Sequence, residues 1–139
     1  MKEKIIIFEG VDKTGKTTLK DYFNKKTNFS YWVLDRTVIS SLVYEDLFNR
    51  HNKSYYQSIL MKLITTFDIV IIYCIANENV IKERLINVNE TLPQELTNIE
   101  YINTLFLKYL NYYKINYITI DTTHSTINDC FNKIMEKLW

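Results

Sequence analysis

The chain enters its first element at once: Ile5 to Phe8 is an unbroken apolar run closed by Glu9 and Gly10. Continuous apolarity over so few residues suits a short strand buried on both faces. Helical spacing takes over from Lys16 to about Lys25, and Tyr31 to Leu34 is a second β-type run that ends at Asp35-Arg36. From Val38 to Asn49 and from about Ser54 to Phe67 the spacing is helical again, with Ile59, Leu60, Leu63 and Ile64 on one stripe. Ile69 to Ile75 is the most β-branched segment, and Asn77 behind it is placed to cap a helix reaching about Asn87. Asn87 to Gln94 lacks periodicity, holds the single proline, Pro93, and reads as a loop between helices. Ile99, Ile102, Phe106, Leu110 and Tyr113 then mark a helix, Tyr117 to Ile120 a fourth strand, and Ile127, Cys130, Phe131, Ile134 and Leu138 one face of a last helix.

Strands alternating with helices predict an α/β fold, a three-layer αβα sandwich around a small, mainly parallel sheet of about four strands with right-handed crossovers. No repeat, linker or low-complexity segment interrupts the order, so residues 1–139 are expected to form a single domain.

Composition narrows the chemistry. With 47% hydrophobic and 24% charged residues the chain has the make-up of a soluble globular protein, and no apolar run approaches membrane-spanning length. Seventeen basic and sixteen acidic residues leave a net charge of +1, so no global field favours nucleic acid or a membrane surface, and an anion must be held by a local site. No signal-like segment opens the chain, and Cys74 and Cys130 have neither metal-ligand spacing nor a disulfide framework; both fit core positions, and a cytoplasmic setting is expected. His51 and His124 have no acid or nucleophile pattern around them. Few arginines beside abundant Lys, Asn, Ile and Tyr match an A+T-rich coding sequence of the viral kind.

Glycine is the most informative count. The chain has two, Gly10 and Gly15, where average usage gives roughly nine or ten. Both belong to Gly10-Val11-Asp12-Lys13-Thr14-Gly15-Lys16-Thr17, which satisfies G-x-x-x-x-G-K-[ST] and lies between a predicted strand and a predicted helix, the context that motif requires. The glycines let the loop wrap with its N–H groups inward at phosphate oxygens, and the helix N-terminus adds its partial positive charge. Gly10, Asp12, Lys13, Thr14, Gly15, Lys16, Thr17 and Thr18 are therefore candidate ATP contacts. Lys16 would neutralise the β- and γ-phosphates, and Thr17 would offer its hydroxyl to Mg²⁺.

The flanks carry more than a bare phosphate loop. Phe8-Glu9-Gly10-Val11-Asp12-Lys13-Thr14-Gly15-Lys16-Thr17-Thr18 resembles the opening of thymidylate kinases, which are P-loop nucleoside monophosphate kinases. Asp35-Arg36-Thr37-Val38-Ile39-Ser40-Ser41-Leu42-Val43-Tyr44 resembles that family's second signature. The resemblance implies a P-loop kinase-like fold, a short lid around residues 86–95, and transfer of the γ-phosphoryl of ATP to a deoxynucleoside monophosphate. It implies that Asp35 helps hold Mg²⁺, that Arg36 clamps an acceptor phosphate, that Asp12 contacts the acceptor sugar, and that Ser40 and Tyr44 face the acceptor. Lys13 stands where one subgroup carries a basic residue in place of lid arginines, and nothing basic lies between Ile86 and Leu107. Lys13 would then meet the charge that spreads over the transferring group.

Several readings stay open. Asp12 is as well explained as a solvated turn carboxylate, and Tyr44 as a core aromatic. Arg84 either covers the adenine and phosphates or faces water as a helix arginine. Only Leu19 to Ser30 fills the place of the family's acceptor-gripping segment, so the acceptor half is reduced. That shortening keeps two alternatives: an ATP-binding module without transfer, and a kinase for a nucleoside or a nucleic-acid 5′ end. It also leaves a sheet edge that a second copy of the chain could cover as a homodimer.

Overall fold

The computed structural model describes residues 2–11, 14–87 and 98–138. Its elements run β1 (Lys4–Glu9), α1 (Lys16–Lys26), β2 (Trp32–Asp35), α2 (Val38–Leu47), α3 (Lys53–Thr66), β3 (Asp68–Ile75), α4 (Glu78–Asn87), α5 (Ile99–Tyr112), β4 (Asn116–Asp121) and α6 (Ile127–Leu138). The four strands form one sheet in the order β2-β1-β3-β4, parallel throughout. Among the described residues no helix is long and apolar enough to cross a membrane.

Strand alternation sorts the apolar residues onto two faces. Ile5 and Ile7 of β1 with Ile69, Ile71 and Tyr73 of β3 pack against Ile39, Leu42 and Val43 of α2, Leu60 of α3, Ile81 and Leu85 of α4, and Ile102, Phe106 and Leu110 of α5. Ile6, Phe8, Val70, Ile72 and Cys74 face the other way, onto Leu19 and Phe23 of α1 and Cys130, Ile134 and Leu138 of α6. The unbroken apolar runs of β1 and β3 follow from this central, doubly covered position, and the result is the three-layer αβα sandwich that the alternation of elements predicts.

The crossover through α1 leads from β1 to β2 on one side, whereas the crossover through α4 and α5 leads from β3 to β4 on the other. The carboxyl ends of β1 and β3 therefore border a topological switch point, the crevice where open α/β sheets bind ligands. The phosphate loop leaves β1 at that point.

Two boundaries differ from the sequence pattern for local reasons. The α2 helix stops at Leu47 rather than Asn49, because Asn49 adopts a left-handed φ of 52° and Arg50 N–H closes back on Glu45 O at 2.9 Å, a Schellman-type ending. The β2 strand extends through Asp35, which pairs with Phe8. Asn77 caps α4 as its position suggests, its side chain accepting from Asn79 N–H at 2.8 Å. Between α1 and β2 the chain makes only a tight turn, with Asn28 and Phe29 at positive φ, so β2 is left as an edge. Most of the expected lid, residues 88–95, lies outside the described residues.

Candidate active site

Gly10 ends β1 at φ 137°, and a Cβ built there would meet Cys74 O of β3 at 2.3 Å. No other residue type fits a backbone that close to the neighbouring strand. Gly15 stands at φ 84° as the N-cap of α1, turning the chain into the helix whose first residues are Lys16, Thr17 and Thr18. Between them Thr14 is buried and donates its hydroxyl to Val11 O at 2.8 Å. Asp12 and Lys13 lie outside the described residues.

Lys16 is 6% exposed, and its Nζ lies 3.8 Å from Asp35 Oδ1. Lys20, one turn on, approaches Asp35 Oδ2 at 3.8 Å. The carboxylate at the end of β2 is thus held beside the phosphate loop by two ammonium groups of α1. The register Phe8↔Asp35 brings it there, since β1 and β2 end level with each other.

On the far side of the loop, a cleft of about 690 Å³ opens between the start of α1, Arg84 of α4 and the β4–α6 turn. Gly15, Lys16, Thr17 and Thr18 form its polar wall, and Ile127 and Cys130 are among its apolar residues. Its size suits a nucleotide-sized ligand. Arg84 donates from Nη1 to Thr122 Oγ1 at 3.3 Å and from Nη2 to Thr122 O at 3.2 Å, while Thr122 Oγ1 donates in turn to Thr14 O. The arginine that the sequence left between two roles is therefore half-buried at the cleft, tied through Thr122 to the phosphate loop.

Arg36 follows Asp35 with φ 65°, its N–H donating to Phe8 O at 3.0 Å. Tyr44 is half-buried and stacks on Phe48 with centroids 6.2 Å apart. Ser40 is buried, and its hydroxyl donates to Glu9 Oε1 at 2.8 Å. Glu9 accepts two further bonds, from Ser40 N–H at 2.9 Å and Thr37 N–H at 3.3 Å, so one buried carboxylate holds the N-terminus of α2. Thr37 and Ser40 of the second signature are set in place by that contact.

Burial pushes the Glu9 carboxyl up from 4.5 to about 7, although the bonds from Ser40 and the charges of Arg36 and Lys16 pull it down. A raised acid binds its proton more tightly in the folded state, so its contribution to stability is fully present below pH 4.5 and is lost as pH rises through 7. The loss is expected to be on the order of 3 kcal/mol. Urea titrations at several pH values should show Glu9→Gln lacking this part of the decline seen in the unmodified chain. The same decline in both proteins would contradict the assignment.

The Cys74 thiol is pushed up to about 12 by burial and serves as core, as does the buried Cys130. Thr17 and Asp35 supply a hydroxyl and a carboxylate oxygen, hard donors that suit Mg²⁺. Among the described residues there is no group of three or more His, Cys, Asp or Glu placed to hold a metal ion.

Glu9 and Thr122 were not among the residues that the motifs single out. Glu9 lies inside the first quoted signature, but its partners are about thirty residues away. Thr122 directly follows β4 at the carboxyl edge of the sheet, where α/β folds place ligand contacts, and that position was the available signal.

No family model and no curated protein sequence matches the chain. Solved structures do. The YorR protein of Bacillus subtilis, in complex with phosphorylated GDP, aligns over 96% of this chain and 95% of its own with a TM-score of 0.69 and 20% identity. Deoxyadenosine kinase from M. mycoides with bound dCTP aligns over 97% and 98% with a TM-score of 0.62 and 17% identity. The same kinase with bound dATP aligns over 99% of both chains at 0.52 and 18%. At these identities the likeness establishes a shared fold, and it extends over at least 95% of each chain.

Proposed function

We propose that this protein is an ATP-dependent phosphotransferase that moves the γ-phosphoryl group to a nucleotide-type acceptor, a deoxynucleoside monophosphate in the thymidylate kinase manner. The observation that carries the reading is the buried Lys16, at the head of a glycine-entered helix and beside the strand-end carboxylate Asp35.

Each residue then has a task set by charge and position. Backbone N–H groups of the loop and the start of α1 receive the triphosphate, and Lys16 neutralises its outer phosphates. Arg84 and the apolar residues of the cleft flank the rest of the donor. Lys13 meets the negative charge that develops on the group in transit, where an electrostatic contact lowers the barrier rather than tightening the ground state. Asp35 and Thr17 would hold Mg²⁺, which when bound offsets phosphate charge. Arg36 offers a planar fork that two acceptor phosphate oxygens can share. Asp12, Ser40 and Tyr44 belong to the acceptor side, Ser40 through its bond to Glu9.

A second reading, a deoxynucleoside as acceptor, is favoured by the likeness to deoxyadenosine kinase along the whole chain and by the tight turn after α1. Arg36→Ala separates the two. With a monophosphate acceptor the substitution should raise its KM at least about tenfold, the scale of one charge-assisted phosphate contact, and Arg36→Lys should recover only part. Unchanged acceptor kinetics would transfer the assignment to the nucleoside.

A further inference from the structure

The cleft beside the phosphate loop is lined by a side chain that has no task in the transfer so far, Thr122. Its backbone is fixed to the sheet, because Thr122 N–H donates at 2.9 Å to the O of Ile75, the last residue of β3. Its side chain packs on Gly15, where a Cβ would lie 3.7 Å from Thr122 Oγ1 and 3.8 Å from Cγ2. The direction of the hydroxyl is set by its neighbours. An arginine only donates, so Arg84 Nη1 occupies a lone pair of Thr122 Oγ1, and a carbonyl only accepts, so the Thr122 proton goes to Thr14 O. Ile75 O, at 3.4 Å, is the more distant acceptor.

Thr14 O belongs to the peptide that enters Gly15. That peptide is trans, so its C=O and N–H point in opposite directions. Holding Thr14 O against Thr122 therefore turns Gly15 N–H to the side of the peptide away from Thr122. Without such a hold the peptide could rotate at low cost, since glycine tolerates a wide range of φ. On the reading of this loop as a phosphate site, we propose that Thr122 is a positioning residue that aims Gly15 N–H at a phosphate of the donor nucleotide. A rotated peptide would present a carbonyl oxygen to the phosphate instead of a donor.

The role needs a hydroxyl and not merely a side chain of this size. Only a group that accepts and donates at one oxygen can stand between a guanidinium and a carbonyl, which serine can do and valine cannot. The next residue supplies an internal comparison. Thr123 Oγ1 accepts from Asn77 N–H at 2.8 Å and donates to Asp121 Oδ1 at 2.6 Å. Asn77 caps the start of α4 and Arg84 lies in its last turn, so the two threonines tie both ends of that helix to the β4–α6 turn. Thr122 adds the bond to the phosphate loop.

The chain has two glycines, so glycine-selective ¹⁵N labelling gives two backbone amide signals, and ¹³C-carbonyl threonine identifies Gly15, which follows a threonine whereas Gly10 follows Glu9. In the protein without nucleotide, Thr122→Val should move the Gly15 signal and leave Gly10 in place, while Thr122→Ser should keep both. By isothermal titration, ATP affinity should fall at least about fivefold in Thr122→Val, the scale of one lost hydrogen bond to a charged group, and stay within about twofold in Thr122→Ser. Thr122→Ala removes the same hydroxyl and should match the valine variant. Thr123→Val should leave ATP affinity within about twofold, as expected of a substitution away from the loop. In a chain that binds ATP, an unmoved Gly15 signal or an affinity untouched by Thr122→Val overturns the proposal alone. Equal losses from Thr122→Val and Thr123→Val overturn it too, since they mean general loosening of the turn. No ATP binding by the unmodified chain would overturn the nucleotide reading itself, and the phosphate role of Gly15 with it.

Discussion

Lys16→Ala is expected to lower ATP affinity by at least about 100-fold, the combined loss of charge-assisted contacts to two phosphates, while the fold persists. Lys16 is buried, but at the site rather than in either apolar cluster. Its removal also takes from Asp35 one of the two α1 lysines beside it and leaves Lys20, so repulsion between Asp35 and the triphosphate adds to the lost attraction. Isothermal titration with ATP and circular dichroism decide the matter together. Unchanged affinity in a folded variant would remove the phosphate-loop assignment.

Lys13→Ala should act on a different quantity. If Lys13 meets charge present only during transfer, its loss should reduce kcat roughly 10²- to 10³-fold, toward the scale of a transition-state arginine, and shift the ATP dissociation constant less than about threefold. Steady-state turnover and equilibrium binding on one preparation separate the two terms. Weaker binding with normal turnover would make Lys13 an ordinary phosphate contact and would remove the basis for the subgroup assignment.

The sequence disclosed most where one physical demand dominates. The β1 and β3 strands are apolar at nearly every position because both faces are covered, and the two glycines stand together because the loop that carries them must approach a neighbouring strand and enter a helix at positive φ. Asp35 and Arg36 were legible as a strand end beside that loop. What it did not disclose depends on pairs distant in the chain. Glu9 looks like the polar end of a strand until the fold brings the α2 N-terminus onto it, and Thr122 joins Arg84 to Thr14 across 38 and 108 residues. Arg84 could not be assigned without that partner.

The central claim, γ-phosphoryl transfer from ATP, is tested most directly by incubating the full chain with γ-labelled ATP, Mg²⁺ and a panel of deoxynucleoside monophosphates and deoxynucleosides, then following the label chromatographically. The account predicts label on one or a few of these acceptors at a rate that Lys16→Ala abolishes. ATP bound by the folded protein, with label reaching no acceptor in the panel, would contradict it and leave a nucleotide-binding module.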